Sequence, residues 1–395
     1  MSAAGDNKRL VDAGMLSRFA RNPAVGPRLL FFSGGTALRD IARNISVLTE
    51  NSIHVITTFD SGGSSAMLRR VFGLPAVGDL RNRLMALADQ TRFGNPEVVQ
   101  LFAWRFPKDK SQDELVQIFT DMTRGNHPLV AAVPDGLGKV IRGYLFRFLD
   151  NMPPDFSLQG ACVGNLVIAS GCLYGDETLE EVIATFSRLV RANGLVLPVT
   201  EQSCHLTATL EDGEVLCGQH LLTGKETAPI TSPVTSLHLS ELLSGPEKVH
   251  ADVSPSVLRC IQWADILCYP MGSFFTSLIA TLLPAGVGME ISRSSSPKVY
   301  VPSTGCDPET IGMTVADQVE YLLRTLCADA PDELTHADVL DFVLLDEHDG
   351  FYFNGVEENR IRKMGVDVRR VPLVSKPYAP YIDPDRLLPV LLSLS

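Results

Sequence analysis

The chain has 395 residues, 45% of them hydrophobic and 20% charged, an ordinary globular balance and enough length for one enlarged α/β domain or two smaller ones. Its 34 basic and 46 acidic residues give a formal charge of −12, so counterion release offers nothing to a general nucleic-acid binder. An anionic ligand would have to be held by local donors, chiefly backbone N–H groups and a few arginines.

The first 26 residues lack the long apolar run of a secretory signal, although residues 8–20 fit an amphipathic surface helix. No segment approaches the run of about 18 apolar residues that a membrane span needs. The expectation is a soluble, cytoplasmic protein with an N-terminal extension over 1–27, no nucleic-acid or membrane partner, and a homo-oligomeric state. The eight cysteines are scattered without a C-x-x-C pair, so reduced thiols are expected rather than a zinc site or a disulfide framework.

The first strand is Arg28–Phe32, which stops at Ser33-Gly34-Gly35-Thr36. A helix follows with Leu38, Ile41, Ile45 and Leu48 on one face. The second strand, Ile53–Thr58, runs into Phe59-Asp60-Ser61-Gly62-Gly63-Ser64-Ser65. This is a βαβ unit with a right-handed crossover, the opening of a doubly wound sheet. Residues 64–90 read as helical, interrupted at Gly73–Asp79, and three helical patterns between 95 and 150 suggest an insertion at about 95–160. Gly164-Asn165-Leu166 begins or interrupts a helix, Leu179–Leu189 forms another, and Val196–Pro198 is a short buried strand. Leu206–Leu210 and Val215–Cys217, joined through Asp212-Gly213, read as a hairpin. The Thr-, Ser- and Pro-rich stretch 220–252 is expected to be a surface excursion. After it come a helix at Val257–Trp263, a strand at Ile266–Tyr269 and the loop 270–277, which leads into a helix through Leu283. Val299–Val301 and Phe342–Leu345 are further strands, separated by a helix at Val315–Leu326. One α/β domain over 28–395 with a mainly parallel sheet is the expected architecture.

Three Gly/Ser/Thr loops therefore follow strands, at 33–36, 60–65 and 270–277. Ligands of open α/β sheets settle beyond the carboxyl ends of strands, where glycine admits a phosphate and the next helix offers unpaired N–H groups. No G-x-x-x-x-G-K-[ST] loop occurs, and the third glycine of G-x-G-x-x-G is missing after Gly34-Gly35-Thr36. Asp60 stands where it could hold Mg²⁺ on a diphosphate, bond a ribose, act as a base, or simply cap the Gly62–Ser65 turn. Asp79 could cap its helix or touch a ligand. Arg69 and Arg81 each lie about one turn into a helix and are the chosen phosphate donors, with a solvated helix face as the alternative for each. The histidines show no metal spacing, and Ser64, Ser273 and Ser277 lack a G-x-S-x-G context.

Taken in order, Gly34-Gly35-Thr36, Thr57–Ser65, Gly78-Asp79-Leu80-Arg81-Asn82, Gly164-Asn165-Leu166, Leu197-Pro198-Val199-Thr200, Gly272-Ser273-Phe274-Phe275-Thr276-Ser277 and Glu309-Thr310-Ile311-Gly312 resemble the CofD/YvcK superfamily. That group joins 2-phospho-L-lactate transferases to the YvcK-like gluconeogenesis factors. The resemblance implies a Rossmann-like three-layer core with a helical insertion. In the transferase branch it implies transfer of a phospholactyl group from a guanosine diphosphate-linked donor to a deazaflavin precursor, with Mg²⁺. In the YvcK-like branch, which these loops look closer to, it implies binding of a UDP-sugar and regulation of carbon metabolism or cell shape. This sequence departs from the family pattern in three places. Gly-Gly-Thr-Gly becomes Gly34-Gly35-Thr36-Ala37, Asp-Asp-Gly-Gly-Ser-Ser-Gly becomes Asp60-Ser61-Gly62-Gly63-Ser64-Ser65-Ala66, and Gly-Pro-Gly-Ser becomes Pro270-Met271-Gly272-Ser273. The lost carboxylate leaves Mg²⁺ to lean on Asp60, water and the ligand's phosphates.

Two functions follow as expectations. A transferase would use Asp60 as metal ligand or catalytic group and the loops to hold a nucleotide or nucleotide-sugar phosphate. A regulator would bind the same ligand without chemistry. A nicotinamide dehydrogenase shares the broad fold but lacks the glycine fingerprint.

Overall fold

Seven parallel strands carry the fold, and the central ones are nearly continuous apolar runs because both faces of the sheet are covered. In the computed structural model, which describes residues 11–395 other than 174, 176, 225, 226, 244 and 349, they are β1 (Leu29–Ser33), β2 (Ile53–Ile56), β3 (Leu195–Pro198), β8 (Ile266–Tyr269), β9 (Lys298–Tyr300), β10 (Phe342–Asp346) and β11 (Asp367–Val371). A second, antiparallel sheet contains β4 (His205–Leu210), β5 (Val215–Cys217), β6 (Val234–Leu242) and β7 (Gly245–Lys248). Along β1 the side chains alternate between two cores. Leu29 and Phe31 enter one, with the helices of 96–151, while Leu30 and Phe32 enter the other, with the inner face of the antiparallel sheet. The result is a mixed α/β, Rossmann-like fold with helices on the sheet.

The strand order of the parallel sheet is β11-β10-β9-β8-β1-β2-β3. From β1 the chain moves outward through β2 to β3, then returns to the other side of β1 and moves outward again through β8 to β11. The connections leaving β1 and β8 therefore diverge. A crevice opens between them at the carboxyl ends, the place where open α/β sheets take their ligands.

The expected helices and strands are present up to Val315–Cys327, including the helices Pro96–Ala103, Gln112–Arg124 and Asp135–Asn151 of the insertion. The helix expected at 8–20 lies at Ala13–Arg21, while residues 1–10 are outside the described part. The stretch 220–252 departs from expectation. It contains β6 and β7, and β6 pairs with β4 from His205↔Ser240 to Leu210↔Val234. Val234, Leu237 and Leu239 face the core while Thr235 and Ser236 face out, so its Ser/Thr content reflects a sheet with one wet face. The loop expected at 270–277 ends earlier, because a π-helix, Phe274–Ile279, in which Leu278 donates to the Ser273 carbonyl five residues back, leads into the helix expected through Leu283. Wide turns of this kind are rare and recur at functional sites. Strand β11 and the C-terminal helix Pro384–Leu392 had no counterpart in the sequence reading.

Helix Val163–Cys172 carries Asn165 to the crevice and packs closely on Leu179–Val190. A Cβ on Gly171 would fall 2.4 Å from Val182 Cγ2, in a buried contact. Gly171→Ala gains up to ~1 kcal/mol of helix propensity, but overpacking costs ~1–3 kcal/mol. The expected outcome is a net loss of about 1 kcal/mol, read as a lower denaturant midpoint.

Candidate functional site

Four chain segments meet at the open ends of β1, β2 and β8, and glycine sets their spacing. A Cβ on Gly34 would lie 2.5 Å from Ser277 Oγ, and one on Gly35 would lie 2.5 Å from Asp79 Oδ1. One on Gly78 would lie 2.5 Å from Ser65 Oγ and 3.2 Å from Asp60 Oδ2, and one on Gly164 would lie 2.7 Å from Arg81 Cδ. The loop after β1 thus rests on the loop after β8 and on helix Gly78–Leu87, and that helix rests on the loop after β2. Between them is a cleft of about 510 Å³.

Most residues expected at a site line this cleft: Gly35 and Thr36 from the first loop, Asp60, Gly62, Gly63, Ser64 and Ser65 from the second, and Gly78, Asp79, Arg81 and Asn82 from the next helix. Asn165, Ser273, Thr276 and Ser277 complete the set. Four do not line it. Gly34 and Gly164 are the close-approach glycines described above, and Gly272 lies behind the third loop, where its N–H donates to Ser303 Oγ at 2.9 Å. Arg69 is the substantive correction. Its buried guanidinium donates to the carbonyls of Phe59 and Asp60, both at 3.0 Å, and to that of Cys204. It braces the second loop from behind and does not face the cleft.

Asp60 Oδ1 accepts the Gly62 N–H at 3.0 Å, the capping geometry expected of an Asx turn, and the carboxylate still lines the cleft. The helix that follows, Gly63–Phe72, and helix Gly78–Leu87 both start at the cleft, and the first-turn amides of a helix have no intrahelical acceptor. The third loop is different. Asp307 accepts the N–H of Phe274 at 2.9 Å, and Glu309 accepts those of Phe275 at 3.0 Å and Thr276 at 2.8 Å together with the Thr276 hydroxyl. The amides of this turn are therefore spent on carboxylates, and the loop offers the cleft hydroxyls. Burial, with Asp307 beside it, pushes the Glu309 carboxyl up to about 7, against the opposing pull of its hydrogen bonds.

Arg81 has its side chain almost wholly buried and donates to Asn82 Oδ1 at 2.7 Å. Burial lowers its pKa, with Arg105 and Arg39 acting in the same direction and Cys162 and Asp79 opposing. Its Nε, Asn165 Oδ1 and Gln219 Oε1 are buried without a protein partner, and all three residues line the cleft. Asn165 also donates to Ser64 Oγ at 2.9 Å.

Sequence reasoning missed several contributors. Arg83 is fully buried beneath the first loop, donating to the carbonyls of Leu38 at 2.9 Å and Gly34 at 2.8 Å. Burial brings its pKa down to about 10 while Asp79 raises it, so it stays charged at neutral pH. Arg105 reaches the cleft from the insertion, and Gln219, His220 and Thr223 reach it from the corner after β5. No spacing tied these residues to the loops, because only the antiparallel sheet delivers 219–223 to this place.

Among the described residues no group of three or more His, Cys, Asp or Glu gathers as a metal cage. Asp60 and Asp79 do face one cleft, which suits a Mg²⁺ arriving on a ligand's phosphates, since that ion commonly takes one or two carboxylates and keeps its other ligands as phosphate and water.

A family model described as 2-phospho-L-lactate transferase CofD matches residues 29–374. The chain belongs to the CofD family. Curated relatives carry the other name of the superfamily. The gluconeogenesis factor of Bacillus subtilis is 28% identical over 298 residues, 75% of this chain and 74% of its own. A putative gluconeogenesis factor of Nostoc is 28% identical over 299 residues, 75% of this chain, and the match spans about half of that relative, 52%. The crystal structure of a UPF0052-family protein from Bacillus halodurans superposes with a TM-score of 0.65 at 20% identity, covering 93% of this chain and 99% of that one; this likeness concerns the fold. Among the described residues of this CofD-family chain no helix is long and apolar enough to cross a membrane.

Glu309 supplies the prediction from this geometry. A carboxyl held at about 7 in the fold and near 4.3 when unfolded keeps its proton longer in the native state, so its contribution to stability falls as pH rises between those values. Replacement by Gln should remove that dependence. The stability of the wild type relative to Glu309→Gln, from unfolding at a series of pH values, should decrease from pH 5 to pH 8.

Proposed function

We propose that the cleft binds a nucleoside-diphosphate-linked ligand, of the nucleotide-sugar kind, and that this binding is the core of the protein's function. The observation that carries the reading is the convergence at the sheet's reversal point of the starts of two helices, the loop hydroxyls and Arg81, whose buried Nε has no protein partner, around one cleft. In a chain of net charge −12, such a concentration of donors has a clear use in holding an anion. The gluconeogenesis-factor names of the relatives support placing this chain with ligand-binding regulators of carbon metabolism.

A second reading, transfer of a phosphorus-containing group, is favoured by Asp60 and Asp79 lining the same cleft and by the family's description. Mg²⁺ held there on the diphosphate would supply charge neutralisation. The chain's own residues would orient the ligand: Asp60 as the carboxylate beside the metal, Arg81 on a phosphate oxygen, and Asn165 fixing Ser64 at the mouth of the second loop. An acceptor hydroxyl would attack the distal phosphorus, the bridging P–O bond would break, and nucleoside monophosphate would leave with the displaced charge.

One experiment serves both readings. Isothermal titration of the purified chain with UDP-glucose, UDP-N-acetylglucosamine, GDP and NAD, with and without Mg²⁺, should show binding of at least one uridine or guanosine diphosphate compound and not of NAD. Arg81→Met should weaken it by tenfold or more, the loss expected for a hydrogen bond to a charged group. Absence of binding by every nucleotide would remove the proposal. Release of nucleoside monophosphate on adding an alcohol acceptor would select the transferase reading, and Asp60→Asn should then abolish turnover.

A further inference from the structure

We propose that His220 is a ligand-contacting residue of the cleft, donating from Nε2 to an anionic oxygen of the bound diphosphate and held for that task by Ser61. The inference rests on the diphosphate reading above and adds to it a residue that the loop motifs do not contain.

The geometry comes from two directions. Ser61, buried in the loop after β2, lies 2.8 Å from His220 Nδ1 through its Oγ, and the same Oγ accepts the His220 backbone N–H at 3.1 Å. The hydroxyl therefore fixes both the main chain and the ring of one residue. On the other side is Gly218, with φ +119, where a Cβ would stand 2.9 Å from both Nδ1 and Cε1 of the ring. Any other residue there would push the imidazole out of place. With Nδ1 engaged by Ser61, Nε2 is the ring nitrogen left for the cleft, which His220 lines.

The Ser61 hydroxyl can either donate to Nδ1 or accept from it. If the Ser61 hydroxyl gives its proton to Nδ1, the neutral ring carries its own proton on Nε2. If the ring is protonated, Nδ1–H donates to Ser61 and Nε2 again bears a proton. A neutral ring protonated on Nδ1 would instead donate to Ser61 and leave Nε2 an acceptor, so an anionic oxygen at the cleft selects the two arrangements in which Nε2–H donates.

Gln219 gives an independent sign that this corner faces a ligand. Its Nε2 reaches the Thr276 carbonyl at 3.5 Å, which ties the corner to the third loop, while its Oε1 is buried without a protein partner. Gln219 is 7% exposed, and it lines the same cleft. The corner after β5 is thus stapled to the second loop by Ser61 and to the third by Gln219. Ser61 places an uncharged hydroxyl beside the ring. A carboxylate there would add a negative charge beside the site, whereas the hydroxyl leaves His220 able to meet an anion.

The test combines binding with direct observation of the ring. Wild type, His220→Ala, His220→Gln and Ser61→Ala would be titrated with inorganic pyrophosphate, UDP-glucose and GDP, after unfolding curves confirm that each variant is folded. Imidazole ¹⁵N spectra, assigned by the signal missing in His220→Gln, would follow Nε2 during the same titrations. Expected are a saturable shift of the His220 Nε2 resonance, a tenfold or greater loss of affinity in His220→Ala, a smaller loss in His220→Gln, whose amide can still donate, and a loss in Ser61→Ala. Binding by the wild type with an unmoved resonance, or with His220→Ala within twofold of it, would overturn this assignment and leave the cleft reading intact. Failure of the wild type to bind any of the three probes would overturn both.

Discussion

The cleft exists because backbone approaches polar side chains more closely than any residue with a Cβ allows. Gly34 against Ser277, Gly35 against Asp79, and Gly78 against Ser65 each leave about the same gap, with a Cβ position 2.5 Å from an oxygen, well inside the distance that real Cβ atoms tolerate. These contacts link three loops in a chain, so a side chain at any of them would force neighbouring walls of the site away from each other. Strand order makes this arrangement possible. Because β1 has β2 on one side and β8 on the other, the loop after β1 can touch both of its neighbours' loops, which a strand at the sheet's edge could not do.

Beneath the loops lie two buried guanidiniums that never reach the cleft. Arg83 collects carbonyls of the first loop, and Arg69 collects carbonyls of the second. Each satisfies loop carbonyls that would otherwise point into the core. Each also places a positive charge in a low-dielectric position near the site, where its field is weakly screened. That offsets some of the field expected from a chain of net charge −12, without exposing a basic surface that would attract nucleic acid.

The parallel sheet was legible because strands buried on both faces read as short apolar runs leading into glycine-containing loops, and Leu29–Ser33, Ile53–Ile56 and Ile266–Tyr269 all have that form. The convergence of the loops followed from the βαβ pattern and the family resemblance. What could not be read is what long-range packing alone decides. Arg81 is the fourth residue of its helix and lines the cleft, whereas Arg69 lies in the last turn of its own and turns back to loop carbonyls, a difference that depends on where each helix starts. Strand β6 was hidden by Thr and Ser on its wet face, so the corner that brings Gln219 and His220 to the site had no visible support. Nothing in the sequence around Arg83 marks it as fully buried.

The walls of the cleft differ in electrostatic character, and the difference comes from the carboxylates. Asp307 and Glu309 take the first amides of the turn after β8 and the Thr276 hydroxyl, so that wall meets the cleft through the hydroxyls of Ser273 and Ser277, with acidic groups behind them. On the opposite wall Asp60 takes the Gly62 amide, but the first turns of two helices and Arg81 remain turned to the cleft. A dianion set against the first wall would face buried acidity through one layer of hydroxyls, whereas set against the second it would face the positive ends of two helices and a guanidinium, with the carboxylates of Asp60 and Asp79 beside them for a cation to bridge. For the nucleoside-diphosphate ligand proposed above, this contrast would sort the phosphates and the uncharged hydroxyl-bearing portion to different walls. Glu309, held near neutrality by burial and by Asp307, sets how strong that contrast is.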